Sequence, residues 1–216
     1  MPTELPYDLT PELAPLSWLI GAWEGQGRLG SGEDDSEIFY QRVDFTEHGL
    51  PFLEYRAESW LCEADGTFLR PLTVESGFWA LDRDRRDGDL GPGMRPADVI
   101  PAFRSAEDVE QLRREDNSFP ITATITHPGS ISELYYGVIR GPQGQLVTDS
   151  VLKGSAAGPY ETAQRIFGMV NTQLFWRWDV TVGGEESPHA SAILDRMPDP
   201  SQGRLAPGAP REPGRG

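Results

Sequence analysis

The chain has 216 residues, 38% hydrophobic and 10% aromatic, which is enough apolar material for one packed core and excludes wholesale disorder. A formal net charge of −15, from 34 acidic and 19 basic residues, argues against nucleic acid and anionic membrane as partners. The single cysteine, Cys62, excludes an intrachain disulfide and any thiolate metal cluster, while 24 glycines and 19 prolines argue for short strands joined by turns.

Met1 to Pro11 has neither the basic start nor the apolar run of a signal peptide, and no later stretch approaches the roughly 18 apolar residues of a membrane span. The expected location is therefore the cytoplasm. A short helix follows: Thr10 is placed to cap it, Pro11 suits its first position, and Leu13, Leu16 and Leu19 recur on one face. It stops near Gly21 and reads as a plug on something larger.

From Trp23 the pattern becomes period two, the mark of strands with one wet face. Ile38 to Phe45 and Phe52 to Trp60 alternate, with His48-Gly49-Leu50-Pro51 as the turn between them. Asp65-Gly66 marks a second hairpin, and Leu69 to Leu81 a further strand. Residues 83–118 differ, because 16 of these 36 are charged. They read as a charged surface insertion, partly mobile, containing a capped helix over Ser105–Arg114 with acids first and bases last. Strands resume at Ile121–His127, Ile131–Ile139, Gln145–Leu152, Glu161–Val170, Gln173–Val182 and 188–195. Residues 197–216 read as a disordered Pro/Gly-rich tail. The expectation is one all-β domain over residues 10–196: about ten antiparallel strands in an up-and-down barrel of lipocalin or fatty-acid-binding-protein type, with a short N-terminal helix. A barrel of this size holds one small ligand.

The run Gly21-Ala22-Trp23-Glu24-Gly25-Gln26-Gly27 carries a sharper signal. Trp23 can close the barrel end, while Gly21, Gly25 and Gly27 let the first strand bend across it. This pattern resembles the nitrobindin family of haem-binding barrels. Supporting segments are Val43–Tyr55, Arg70–Phe78, His127–Glu133 and Val182–Leu194. Two segments depart from the family pattern. Arg28 to Asp35 replaces a Tyr-Pro-Thr stretch, and Ala157-Gly158-Pro159-Tyr160-Glu161 replaces an Ala-Lys-Glu stretch.

The resemblance implies one haem b per subunit with His189 as the axial iron ligand, His127 as a further cofactor-pocket residue, and conversion of peroxynitrite to nitrate. Nitric oxide binding and a homodimer are implied in the same way. Apart from the resemblance, His189 beside Pro188 would read as a surface residue and His127 as a strand-end residue bonded locally. His48 reads as a solvent-exposed turn residue, Cys62 as a small strand residue, and Trp176 and Trp178 as core packing. The paired acids Asp34-Asp35 and Glu185-Glu186 read as solvated turn charge. The competing expectation is a haem-free carrier of a fatty acid or other lipophile. It needs an inward cation for a carboxylate, with Arg42, Arg56 and Arg177 as candidates, although the outer face is the simpler place for each.

Overall fold

The computed structural model describes residues 9–30, 37–86, 89 and 102–198. The expected tail beyond residue 198, the pair Asp34-Asp35 and part of the charged insertion lie outside the described residues. Ten strands form one closed antiparallel barrel: β1 Gly21–Leu29, β2 Glu37–Glu47, β3 Leu53–Cys62, β4 Phe68–Leu81, β5 Phe119–His127, β6 Ile131–Arg140, β7 Gln143–Lys153, β8 Thr162–Val170, β9 Gln173–Val182 and β10 Glu185–Arg196. Each strand pairs with its sequence neighbours, and β1 closes the ring against β10. The all-β, up-and-down expectation holds strand by strand. No described helix is long and apolar enough to cross a membrane.

One end of the barrel is sealed. Pro11–Leu19 forms a helix of 3₁₀ type rather than an α-helix, and the Thr10 side chain makes no capping bond. The reason is in the spacing. Leu13, Leu16 and Leu19 recur every third residue, the repeat of a 3₁₀ turn, and all three are fully buried. They pack in the core that holds Trp23, Phe45, Leu53, Trp79, Phe119, Phe167 and Leu194. Trp23 fastens this plug. Its Nε1 donates to Leu19 O at 2.8 Å, and the Arg196 guanidinium lies 4.0 Å from its ring while donating to Ile20 O and Trp18 O.

Two glycines of β1, Gly25 and Gly27, serve close approach, while Gly21 starts the strand at a positive φ of 126°. A Cβ on Gly25 would lie 2.2 Å from Ile193 O, and one on Gly27 would lie 2.3 Å from the Phe39 ring. Beyond β4, a single α-turn (α1, Ala106–Val109) carries a Ser105/Asp108 capping box and passes directly into a 3₁₀ turn, Glu110–Leu112. This is shorter than the helix expected to reach Arg114. The segment points its charges outward, but Phe103 and Val109 are buried with the plug. Arg83 joins it to the plug, pairing with Asp89 at 2.7 Å and Glu12 at 3.6 Å.

The other end is open, and β7 and β8 part there. Their ladder runs only from Gln143–Gly168 to Val147–Gln164. Past it, the Thr148 hydroxyl bridges the strands, donating to Ala163 O at 3.1 Å and accepting from Ala163 N at 2.9 Å.

Candidate functional site

A cavity of about 510 Å³ opens at the end opposite the plug, within the usual size range of ligand pockets. Leu29, Phe39, Leu72, Ile131 and Trp176 give it apolar walls; His127, Tyr160, Trp178, Glu75 and His189 give it a polar side.

His189 reaches the cavity through an irregularity in β10. Ala190 pairs with Trp178 and Pro188 with Asp179, so His189 is an extra residue with no partner in the ladder. Ala190, Ala192 and Leu194 face inward and are buried. Strict alternation would therefore turn His189 outward, and the bulge re-aims it into the cavity. Gly30 N donates to His189 O at 2.9 Å, which holds the bulged backbone. The Trp178 ring meets the imidazole edge to face, with centroids 4.6 Å apart. Partial burial, and then the nearby Arg165 guanidinium, push the His189 pKa below its ordinary value. At neutral pH the ring is the neutral form that ligates metals.

His127 lines the same cavity, stacked on the same Trp178 ring, with centroids 5.6 Å apart and rings 16° from parallel. Its Nε2 lies 2.5 Å from Glu133 Oε2, and its Nδ1 lies 3.4 Å from Glu75 Oε1. Both ring nitrogens thus face carboxylates. Glu133 also accepts from Tyr135 at 2.7 Å and from Tyr160. Glu75 accepts from Tyr55 at 2.8 Å and holds Arg165 in a two-pronged pair at 2.9 and 3.0 Å. Arg165 also lies 4.3 Å from the Trp178 ring.

These charges are deep in the barrel yet mutually satisfied. Burial alone pushes the Glu75 carboxyl up, but Arg165, joined by His127 and the Tyr55 hydroxyl, outweighs it and holds the pKa at about 2. Glu133 is likewise lowered: burial raises it, and the His127 hydrogen bond, Arg165 and the tyrosine hydroxyls more than compensate. On the opposite wall, Trp176 Nε1 donates to Gln41 Oε1 at 2.9 Å, and Gln41 Nε2 donates to Ser59 Oγ at 3.1 Å.

Of the expected residues, His189, His127, Trp176 and Trp178 meet at one cavity, so the two tryptophans do more than pack a core. Trp23, Gly21, Gly25 and Gly27 belong to β1 and lie outside the cavity lining except through the wall they help close. His48 is exposed and pairs with Glu54 at 2.7 Å. Cys62 is buried. The carrier's candidate cations all lie on the outer face with carboxylate partners: Arg42 with Glu24 and Asp44, Arg56 with Glu58, and Arg177 with Asp179. The inward cation is Arg165, which the sequence reading did not single out. Its signal was present, as a charge on the inward row between Ala163 and Phe167.

A closed ten-stranded barrel, plugged at one end, with a single unengaged imidazole turned into an apolar-walled cavity at the other, defines a small-molecule or cofactor-binding barrel. The chain belongs to the THAP4-like, heme-binding beta-barrel domain family, whose sequence model matches residues 12–196. It is 75% identical to a peroxynitrite isomerase of Micrococcus luteus, over 100% of this chain and 96% of that protein. Proteins of the same name from Pseudarthrobacter chlorophenolicus and Renibacterium salmoninarum are 61% and 59% identical, covering 91% and 96% of this chain and 100% and 99% of their own lengths. The crystal structure of Rv2717c from M. tuberculosis shares the fold, with a TM-score of 0.59 and 22% identity over 88% of this chain and 99% of that one.

Proposed function

We propose that the protein binds one haem b in the open-end cavity, with His189 as the axial iron ligand, and converts peroxynitrite to nitrate. The observation that carries this reading is the β10 bulge, which departs from alternation and sets one imidazole on the lining of the open-end cavity. The residues fit the group: a neutral nitrogen ligand, an apolar lining that includes Phe39, Leu72, Ile131 and Trp176, and no second free imidazole nitrogen among the described lining residues. The names of the relatives supply the reaction.

Bound haem supplies the iron at which peroxynitrite is rearranged. The chain's own residues bind, orient and enclose. His189 offers its lone pair, with its ring angle fixed by Trp178 and its backbone by Gly30. The apolar wall keeps bulk water from the reacting anion, and nitric oxide is the related small ligand the same space admits. His127, Tyr135 and Tyr160 direct their donors at Glu133 and not at the ligand. The carrier reading loses its carboxylate anchor, because Arg165 is already paired with Glu75.

The test is a hemin titration of the wild type and His189→Ala, followed by peroxynitrite decay in a stopped-flow spectrometer. A stoichiometric, shifted Soret band and accelerated decay are expected for the wild type, with both lost or altered in the variant. Equal, weak hemin binding by both proteins would remove His189 from the ligand role.

A further inference from the structure

Among the described tyrosines, Tyr160 alone lines the open-end cavity. Tyr55 and Tyr135 are buried in the barrel interior. Tyr40 lies on the outer row of β2, bonded to Glu24 and packed against Trp60 and Phe68. Tyr136 is an outward residue of β6 and 43% exposed. Tyr160 also stands in one of the two segments where this sequence departs from the nitrobindin pattern.

Its setting favours oxidation of the ring. The hydroxyl donates to the Glu133 carboxylate, so a proton acceptor is already in contact when the ring loses an electron. Tyr160 lines the space where a reactive nitrogen species would be confined, and confinement raises effective concentration.

We propose that Tyr160 is a nitration site, modified inside the cavity by the protein's own substrate; this rests on the haem and peroxynitrite reading above. Peroxynitrous acid replaces one ring hydrogen ortho to the hydroxyl. A C–N bond forms, the ring carbon gives up two electrons to the breaking O–O bond, and the ring proton leaves with the peroxidic hydroxyl as water. The product is 3-nitrotyrosine. A nitro group makes the phenol more acidic, but burial and the neighbouring Tyr135 and Glu133 raise the pKa of this hydroxyl, so the nitrated ring keeps its proton and its bond to Glu133. The segment Gly154–Glu161 thus stays tied to the wall, with Glu161 accepting from the backbone N–H groups of Gly183 and Gly184, Glu161 N donating to Thr181 O, and Gly154 N donating to Ser130 O.

The experiment exposes the haem-reconstituted full chain to a peroxynitrite pulse, follows peroxynitrite decay, and maps 3-nitrotyrosine by peptide mass spectrometry. Nitration at Tyr160 several-fold above that at Tyr136 is expected, with the preference lost in haem-free chain. The main nitrated peptide should disappear in Tyr160→Phe, and wild type alone decides if that variant folds poorly. Equal nitration of Tyr136, or accelerated decay with Tyr160 unmodified, overturns the nitration site and leaves the functional reading standing. No Soret shift and no accelerated decay overturns both.

Discussion

Arg165 and Glu75 are 90 residues apart in sequence and meet in the barrel interior, each almost wholly removed from water. Such a pair adds little over a hydrophobic pair of the same shape, but breaking it strands a charge. Arg165→Met and Glu75→Gln should each cost about 3–5 kcal/mol in urea unfolding, and the double variant markedly less than their sum. A double variant as unstable as that sum would show that the two groups act independently. The pair also sets an acid limit. The Glu75 pKa is depressed to about 2 in the folded chain, below the ordinary carboxylate value, so its contribution is full above about pH 4.5 and is lost as pH falls toward 2. Its size is on the order of 3 kcal/mol. Unfolding midpoints measured between pH 6 and 2.5 should fall in the wild type and stay flatter in the double variant. Neither residue was recognisable as half of a pair from the sequence, because local alternation marks an inward charge without naming what answers it across the barrel.

Most of the ten strands were legible because each has one wet and one dry face, and period two survives in a single sequence. The plug was legible as a helix, and its spacing of three already held the 3₁₀ geometry. The β10 bulge was not legible. Ala190, Ala192 and Leu194 define an inward row that leaves His189 on the other parity, and one extra residue in a ladder has no compositional mark. Only the family resemblance placed His189 at a haem. The bulge makes a direct prediction. Deleting Pro188 restores alternation and turns the imidazole outward. The far-UV dichroism of the barrel should persist while the His-type hemin spectrum disappears; an unchanged spectrum would mean the bulge does not aim the ligand.

The molecule divides its work between its ends. The plugged end, built on Leu13, Leu16, Leu19 and Trp23, supplies the dense core; the open end trades packing for a cavity and a buried ionic network. Damage at one end should therefore leave the other's property intact. Leu16→Ala should lower unfolding free energy by about 2–5 kcal/mol, yet the folded variant should give the wild-type hemin spectrum. A changed spectrum at full folding would mean the ends are coupled.

The parting of β7 and β8 gives this division a direction. A ring of strands closed by backbone hydrogen bonds all the way round can admit a rigid planar guest only through its rim. Here the wall past Val147 and Gln164 is joined by one threonine hydroxyl and bordered by the tied segment 154–161. That stretch of wall is held by a side chain and not by the ladder. Thr148 and Ala163 are buried there, with Glu133, Tyr135 and Arg165 behind them, and no β7 or β8 residue is among the described cavity lining, so the loosest seam of the wall lies beside the cavity and a flat guest reaches it by the open rim.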